Sequence, residues 1–194
     1  MPAEANWEPG ARLSEALAYA VETHASQGRK GSGTPYIAHL LAVCGLVIDD
    51  GGSEDDAIAA LLHDAAEDQG GEATLAEIED RFGPDVRRIV AACSDTFETP
   101  KPPWEQRKAD YIAGIPEKTA AELRVSLADK VHNARAILFD YRAVGESVFD
   151  RFNADRDKTL GYYRALAGAF AKRASGPLAD ELVRVVDELE QAVA

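Results

Sequence analysis

Apolar residues recur at intervals of three and four along almost the whole chain, and this spacing limits the possible folds more than any other feature. Such a period places apolar side chains on one face of an α-helix, whereas a half-buried strand requires strict alternation. The stripes are clearest in residues 13–24, 58–65 and 178–193. Residues 40–48 are apolar throughout and fit a buried strand or a buried helix, but their helical neighbours favour the helix. The sequence therefore predicts an all-α fold.

Several helix ends can be predicted from capping residues, glycine and proline. Thr74 and Glu77 have the spacing of a capping box, which predicts that a helix starts at Thr74. Gly83 is expected to end that helix, and Pro84 to begin the next one. Clusters of glycine and proline predict loops at residues 28–35, 49–53, 69–72 and 99–103.

Composition indicates an ordinary globular protein and narrows its partners. The chain has 194 residues, of which 46% are hydrophobic, so we expect one domain over residues 11–194 after a flexible N-terminus of residues 1–10. A net charge of -13 argues against nucleic acid and against a membrane surface as partners. No apolar run reaches the ~20 residues of a membrane span, and no secretory signal is evident. We therefore expect a cytoplasmic protein, with Cys44 and Cys93 reduced in the core.

The string Leu-Leu-His-Asp-Ala-Ala-Glu-Asp at residues 61–68 concentrates one imidazole and three carboxylates. If one helix runs through this string, His63, Asp64, Glu67 and Asp68 lie within about 140° of one another around the helix axis. Carboxylates at such short range repel one another unless a cation lies among them. The string therefore predicts a metal site with acid–base groups beside it.

Further ligands must come from other parts of the chain, which contains only four histidines. His39 follows a glycine-rich loop and begins a helical segment. Asp129 lies among apolar residues, where a carboxylate is unfavourable unless it is paired or bound to a metal. Two alternatives stay open, a salt bridge from Asp129 to Lys130 or Arg135 and a structural role for His39 in the core.

Three segments occur in the order found in a known family. They are residues 27–39, which contain Gln-Gly-Arg-Lys and Pro-Tyr-Ile-Ala-His, residues 61–68, and residues 127–135 with Leu-Ala-Asp-Lys-Val-His-Asn-Ala-Arg. Together they resemble the HD-domain hydrolases of the RelA/SpoT type, including the small stand-alone alarmone hydrolases. The resemblance extends over about residues 11–170 and implies a single HD-domain helical bundle.

The resemblance also implies roles for individual residues. It implies one Mn²⁺ ion, or Fe²⁺ or another divalent metal, and two imidazoles with two carboxylates suit such ions. The implied metal ligands are His39, His63, Asp64 and Asp129. Glu67 and Asp68 match the acidic pair that orients and deprotonates the attacking water. Arg29, Lys30 and Asn133 match positions near the nucleotide, with Arg29 against the base and Lys30 against a phosphate.

The reaction implied by this resemblance is hydrolysis of the 3′-pyrophosphate of guanosine tetra- or pentaphosphate (ppGpp or pppGpp). The products are pyrophosphate and GDP or GTP, and no synthetase activity is expected. Two alternatives are a phosphohydrolase that acts on another nucleotide (NADPH, a deoxynucleotide or a nucleoside monophosphate) and a non-catalytic module that binds an alarmone. A small-molecule nucleotide is the expected partner, and the sequence leaves the oligomeric state open.

Some residues near the expected site have less definite roles. His24 ends an apolar stripe and is predicted to be structural, and His132 is left out of the site. Tyr162 and Tyr163 fit either core packing, which is favoured, or contact with the nucleotide.

Two segments, residues 97–111 and residues 141–153, differ from the long members of the family and are candidates to line the pocket. Within the first of them, the Lys-Pro-Pro-Trp string at residues 101–104 fits either a loop over the mouth of the site or an ordinary surface connection.

Overall fold

The computed structural model describes residues 7–96 and 100–194, and α-helices make up most of them. The helices are α1 (Ala11–Thr23), α2 (Ile37–Asp49), α3 (Glu54–Leu62), α4 (Ala65–Gln69), α5 (Glu72–Phe82), α6 (Pro84–Cys93), α7 (Trp104–Gly114), α8 (Ala120–Val144), α9 (Arg156–Ala171) and α10 (Pro177–Val193). Two 3₁₀ segments cover Ile115–Glu117 and Gly145–Arg151. These described residues form no β-strand, and one isolated bridge joins Gly28 to Pro35. The predicted all-α fold is confirmed, including the helix over the apolar residues 40–48.

Helix α3 forms the centre of the bundle. Every residue from Asp56 to Leu62 is buried, and the helix packs against α1, α2, α6 and α8. Its start is fixed by a capping box, because Ser53 Oγ accepts from the Asp56 N–H and the Asp56 carboxylate accepts from the Ser53 N–H. Because α3 is surrounded by other helices, the turn that follows it is held firmly in the interior.

Helix α8 spans 25 residues, which corresponds to about 37 Å of helix. A second capping box, between Thr119 and Glu122, begins it. It packs against α2, α3, α6 and α10, so its first half is buried on several sides. The predicted apolar stripe of α10 is confirmed, since this helix packs on α8 and α9 and buries Leu178, Leu182, Val185, Val186, Leu189 and Val193. Asp129 lies near the middle of α8 and is therefore held inside the bundle.

The predicted capping box between Thr74 and Glu77 is wrong. Helix α5 begins at Glu72 with Gly71 as its N-cap, at a positive φ of 62°, so the chain turns into the helix before it reaches Thr74. The Thr74 hydroxyl instead donates backwards to the Gln69 carbonyl over 2.9 Å. The predicted boundary at Gly83 and Pro84 is confirmed.

The continuous helix assumed for residues 61–68 is also wrong. Helix α3 ends at Leu62, His63 and Asp64 form a turn, and α4 begins at Ala65. Asp64 has φ −99° and ψ −6°, in the sparsely populated region between α and β where many active-site residues are found. His63 and Asp64 therefore lie between two helices rather than on the face of one helix.

Three further predictions concern the N-terminus, the two cysteines and the possibility of a membrane-spanning helix. Trp7 Nε1 donates to the Gly52 carbonyl over 2.9 Å, whereas residues 1–6 lie outside the described residues. Cys44 and Cys93 are free and buried, as predicted. Among the described helices, none is both long and apolar enough to cross a bilayer.

Candidate metal centre and substrate cleft

Four side chains from three parts of the chain converge in the interior. His39 comes from the first turn of α2, His63 and Asp64 from the turn after α3, and Asp129 from the middle of α8. His39 Nε2 lies 3.5 Å from Asp64 Oδ2 and 3.3 Å from Asp129 Oδ1. His63 Nε2 lies 3.0 Å and 3.6 Å from the same two oxygens. The structure thus brings together all four residues that were predicted as metal ligands.

The two imidazoles of this cluster indicate that a cation belongs there. His63 is 1% exposed, and its Nδ1 donates to the Ala60 carbonyl over 2.8 Å. This hydrogen bond places a ring proton on Nδ1 and turns Nε2 towards the carboxylates. His39 Nε2 and His63 Nε2 are both buried without a hydrogen-bond partner among the described residues. Buried lone pairs that face carboxylate oxygens are unfavourable unless a cation lies between them. The donor set therefore fits a divalent metal ion.

The electrostatics of the cluster keep its carboxylates charged. Burial lowers the pKa of His63, but the carboxylates of Asp64 and Asp129 outweigh this effect and hold that pKa well above its usual range. Burial favours the neutral form of both carboxyls, yet their pKa values lie well below the usual range because of His63 and, for Asp129, Lys130. Both carboxyls are therefore held in the ionised form that a metal ion requires of its ligands.

His132, which the sequence left outside the site, contacts the cluster from α8. Its Nδ1 lies 2.7 Å from His39 Nδ1. Burial, helped by His39 and Arg29, lowers the pKa of His132 to about 4. Because the ring of His132 is neutral, its Nδ1 can accept a hydrogen bond from the N–H group at His39 Nδ1. His39 Nε2 then carries no proton and is free to bind a metal. The sequence does carry a signal for this role, because His132 follows Asp129 by three residues on one helix face.

Neighbouring donors hold the two carboxylates in place. The Tyr36 hydroxyl donates to Asp64 Oδ2 over 2.6 Å, and Lys130 Nζ donates to Asp129 Oδ2 over 2.7 Å. Asn133 Nδ2 donates to the other oxygen, Asp129 Oδ1, which also faces the imidazoles. The salt bridge that was the alternative for Asp129 is therefore present, and it leaves Oδ1 turned towards the cluster.

Glu67 lies on α4 beside the cluster and is held through both of its oxygens. Oε1 accepts from Lys101 Nζ over 2.9 Å, and Oε2 accepts from the Asp95 backbone N–H over 3.1 Å. Lys101 belongs to the Lys-Pro-Pro-Trp string at residues 101–104, so one end of that segment contacts the site. The preceding residues 97–99 lie outside the described residues.

Asp68 is the more weakly bound member of the acidic pair. Its Oδ2 accepts from Gln27 Nε2 over 2.6 Å, and its Oδ1 has no hydrogen-bond partner within the described part of the chain. Burial raises the pKa of Asp68, with a smaller contribution of the same sign from Asp64, whereas the hydrogen bond from Gln27 opposes the shift. Asp68 is therefore suited to accept a proton.

A cleft of about 870 Å³ opens over these groups. Six cations line it: Arg29, Lys30, Lys108, Lys130, Arg135 and Arg151. All three predicted substrate contacts are among its lining residues, and Arg29 Nη2 donates to Asn133 Oδ1 over 2.8 Å. Six carboxylates line the cleft as well, and they belong to Asp64, Glu67, Asp68, Asp95, Asp129 and Asp140. Four of the six cations form ion pairs, whereas Arg29 and Lys30 form none with a described carboxylate and are available to an anionic ligand.

The less definite predictions divide between the cleft and the core. Tyr163 lines the cleft, whereas Tyr162 packs edge-to-face against Trp104 with ring centroids 5.8 Å apart. His24 is buried, and its ring stacks on that of Tyr36 at 5.2 Å. Lys108 from one variable segment, and Val148, Arg151 and Phe152 from the other, line the cleft.

The chain is similar to known proteins in both sequence and fold. The chain is similar to guanosine-3′,5′-bis(diphosphate) 3′-pyrophosphohydrolase MESH1 of Mus musculus, with 38% identity over 128 residues that cover 64% of this chain and 69% of that protein. The solved structure of a metazoan ortholog of SpoT that hydrolyses ppGpp superposes with a TM-score of 0.78 at 24% identity, and the match covers 97% of this chain and 99% of that one. A protein from Listeria monocytogenes gives 0.69 at 28% identity, over 81% and 99% of the two chains. The HD domain profile matches residues 16–159, and the chain belongs to the HD domain family.

Proposed function

We propose that this chain is a metal-dependent hydrolase that uses Mn²⁺ to remove the 3′-pyrophosphate from ppGpp or pppGpp. The observation that carries the proposal is the pair of buried imidazole Nε2 atoms that face Asp64 and Asp129 beneath a cleft lined by cations. The names of the related pyrophosphohydrolases support the substrate.

His39, His63, Asp64 and Asp129 are the residues that would hold the metal. When bound, the cation supplies Lewis-acid chemistry, since it neutralises phosphate charge and makes a water molecule more acidic. His132 keeps the ring of His39 in the required orientation, while Tyr36 and Lys130 restrain the carboxylates. Such outer hydrogen bonds fix the tautomer and the geometry of ligands in metal sites.

Glu67 and Asp68 have different roles towards the attacking water: Glu67 orients it, and Asp68 accepts its proton. Glu67 has both oxygens engaged by Lys101 and Asp95, so it is placed to orient groups around the water. Asp68 has one free oxygen and a raised pKa, which makes it the better proton acceptor. Asp68 therefore takes the proton as the water oxygen attacks the phosphorus next to the ribose. The bond from that phosphorus to the ribose 3′-oxygen breaks, and the 3′-oxygen takes up a proton as pyrophosphate leaves.

Arg29, Lys30 and Asn133 would bind the nucleotide. The Arg29 guanidinium lies 5.8 Å from the centre of the Tyr36 ring and is hydrogen-bonded to Asn133, which is in turn bonded to Asp129. This chain of contacts links the planar guanidinium, suited to stack on a base, to the metal centre. Lys30 is exposed and forms no ion pair with any described residue, so its charge is available for a phosphate.

Side-by-side turnover of several nucleotides with Mn²⁺, with the nucleotide products separated and quantified, tests the proposed substrate. We expect ppGpp to be hydrolysed with a kcat/KM at least about tenfold above that for NADPH, a deoxynucleoside triphosphate or GMP, a ratio that corresponds to about 1.4 kcal/mol. Preference for one of these other nucleotides would contradict the proposed substrate. Tight binding of ppGpp without any release of pyrophosphate would instead identify a non-catalytic binding module.

Replacement of His132 by alanine is expected to weaken Mn²⁺ binding by about 10- to 100-fold, because His39 loses the partner that fixes its tautomer. Calorimetric titration of the metal-free protein measures the effect. His132→Asn, whose side-chain oxygen can accept from His39 Nδ1, is expected to recover part of the loss. An unchanged affinity in His132→Ala would show that His39 does not depend on this contact.

A further inference from the structure

Arg151 is a cation of the cleft that the proposed function has not used. It ends the 3₁₀ segment Gly145–Arg151 that follows α8. Its aliphatic stem crosses the backbone of Gly31, where an added Cβ would lie 2.1 Å from Arg151 Cδ. Gly31 also has a positive φ of 82°, so glycine is required there on both grounds. Arg151 thus packs directly on the loop that carries Arg29 and Lys30.

One nitrogen of the Arg151 guanidinium is hydrogen-bonded to a carboxylate, and its other nitrogens form no hydrogen bond with a described residue. Nη1 donates to Asp140 Oδ2 over 2.5 Å, and no other described residue forms a hydrogen bond with this guanidinium. Its side chain lines the cleft and remains partly exposed. A guanidinium has five N–H donors in a fixed planar fork that matches phosphate oxygens, so most of this donor capacity faces the cleft or solvent.

The Arg151–Asp140 pair lies well away from the metal centre. Asp140 follows Asp129 by eleven positions on the same helix, which corresponds to roughly 16 Å along the axis. Lys30, next to Gly31 in the loop beneath Arg151, adds a second cation that has no ion pair with a described residue. The cleft therefore has one cationic site far from the carboxylates that would hold the metal.

We propose that Arg151, together with Lys30, binds the 5′-diphosphate of the nucleotide; this inference rests on the proposed function. A guanosine that carries diphosphates on both its 3′ and 5′ carbons can present only one of them to the metal centre. The other diphosphate projects from the opposite side of the ribose, and we assign it to Arg151 and Lys30, which line the same cleft. Phe139 and Phe152 line the same cleft with exposures of 73% and 37%, so they offer apolar surface to the nucleotide. Arg151 thus selects nucleotides that are phosphorylated at both carbons.

Arg151→Met tests the assignment because it keeps the stem over Gly31 and removes the guanidinium. The substrates are ppGpp and guanosine 3′-diphosphate, which lacks the 5′ phosphates. We expect the KM of the variant for ppGpp to rise about tenfold with kcat within twofold, as for the loss of hydrogen bonds to a charged group. The KM for guanosine 3′-diphosphate should not change. The matched control is Arg142→Met, since Arg142 forms an exposed ion pair with Glu188, and both KM values should stay at those of the wild type.

A merely structural role for the Arg151–Asp140 pair predicts different results. It would raise both KM values by the same factor in Arg151→Met, and this outcome, or no change at all, would overturn the inference. Asp140→Asn removes the anchor but leaves the guanidinium charge, so we expect its KM for ppGpp to stay within twofold of the wild type. A tenfold rise in Asp140→Asn would show that the ion pair matters rather than the phosphate contact.

Binding of GDP to the metal-free protein gives a readout that does not depend on turnover. GDP carries the 5′-diphosphate alone, and calorimetry should show affinity about tenfold lower for Arg151→Met than for the wild type or Arg142→Met. Equal affinities in all three proteins would overturn the inference. If instead the wild type released no pyrophosphate from ppGpp but lost GDP affinity on Arg151→Met, the proposed function would fail while the diphosphate site would stand.

Discussion

Replacement of His63 by alanine is expected to abolish metal binding and turnover together. His63 supplies one of four converging donors and is almost fully buried, so neither solvent nor another described side chain replaces it easily. Loss of a ligand should cost more than the 10- to 100-fold in affinity that loss of an outer hydrogen-bond partner costs. The carboxyl of Asp64 would also lose the attraction that lowers its pKa, which weakens the site further.

Metal-dependent stability separates this loss from a loss of fold. Mn²⁺ that binds only the folded state raises the melting temperature of the wild type, and we expect no such rise in His63→Ala. His24→Ala is the control, because His24 is also a buried histidine but lies outside the cluster; it should still bind one ion per chain. A chelator should remove the activity of the wild type, and added Mn²⁺ should restore it. Wild-type Mn²⁺ affinity in His63→Ala would contradict the assignment.

The positions of several helices can be predicted from the sequence, because the side chains that a helix buries recur every three or four residues. The apolar stripes predicted α1, α3 and α10, and the glycine–proline pair at residues 83–84 predicted the boundary between α5 and α6. The start of α5 was missed because Thr74 has the right spacing for a cap, whereas Gly71 had already turned the chain. Local spacing alone does not decide between two adjacent candidates for one helix end.

The break at His63 and Asp64 has no local signal, since neither residue is glycine or proline and both tolerate helical dihedrals. It is held in part by a distant partner, the Tyr36 hydroxyl on Asp64, and in part by a local one, the Ala60 carbonyl on His63. The contact between His39 and His132 joins residues 93 positions apart. Similarly, the position of Arg151 over Gly31 arises from a 3₁₀ segment without an apolar period. Residue types thus identified the chemistry, and tertiary packing determined which groups meet.

Conversion of Asp68 to asparagine is expected to lower kcat by about 10²- to 10⁴-fold, the usual contribution of a general base. The amide keeps the size of the carboxylate but cannot take a proton from water. Mn²⁺ affinity and KM should change little, because Asp68 lies outside the group of four side chains that converge at the proposed metal site. Glu67→Gln is the matched comparison and should lose less, since its side-chain oxygen can still accept from the Asp95 N–H. A larger loss in Glu67→Gln would reverse the two roles.

The pH profile of kcat gives the second test of Asp68 as the base. Burial raises the pKa of Asp68 above its usual value, and the base acts only when it is ionised. Activity should therefore fall on the acid side at a higher pH than for an ordinary aspartate. Gln27→Ala removes a hydrogen bond that lowers this pKa, so the acid limb should move further towards neutral pH. Gln106→Ala on the exposed surface of α7 should leave the limb in place. An acid limb that did not move in Gln27→Ala would show that another group accepts the proton.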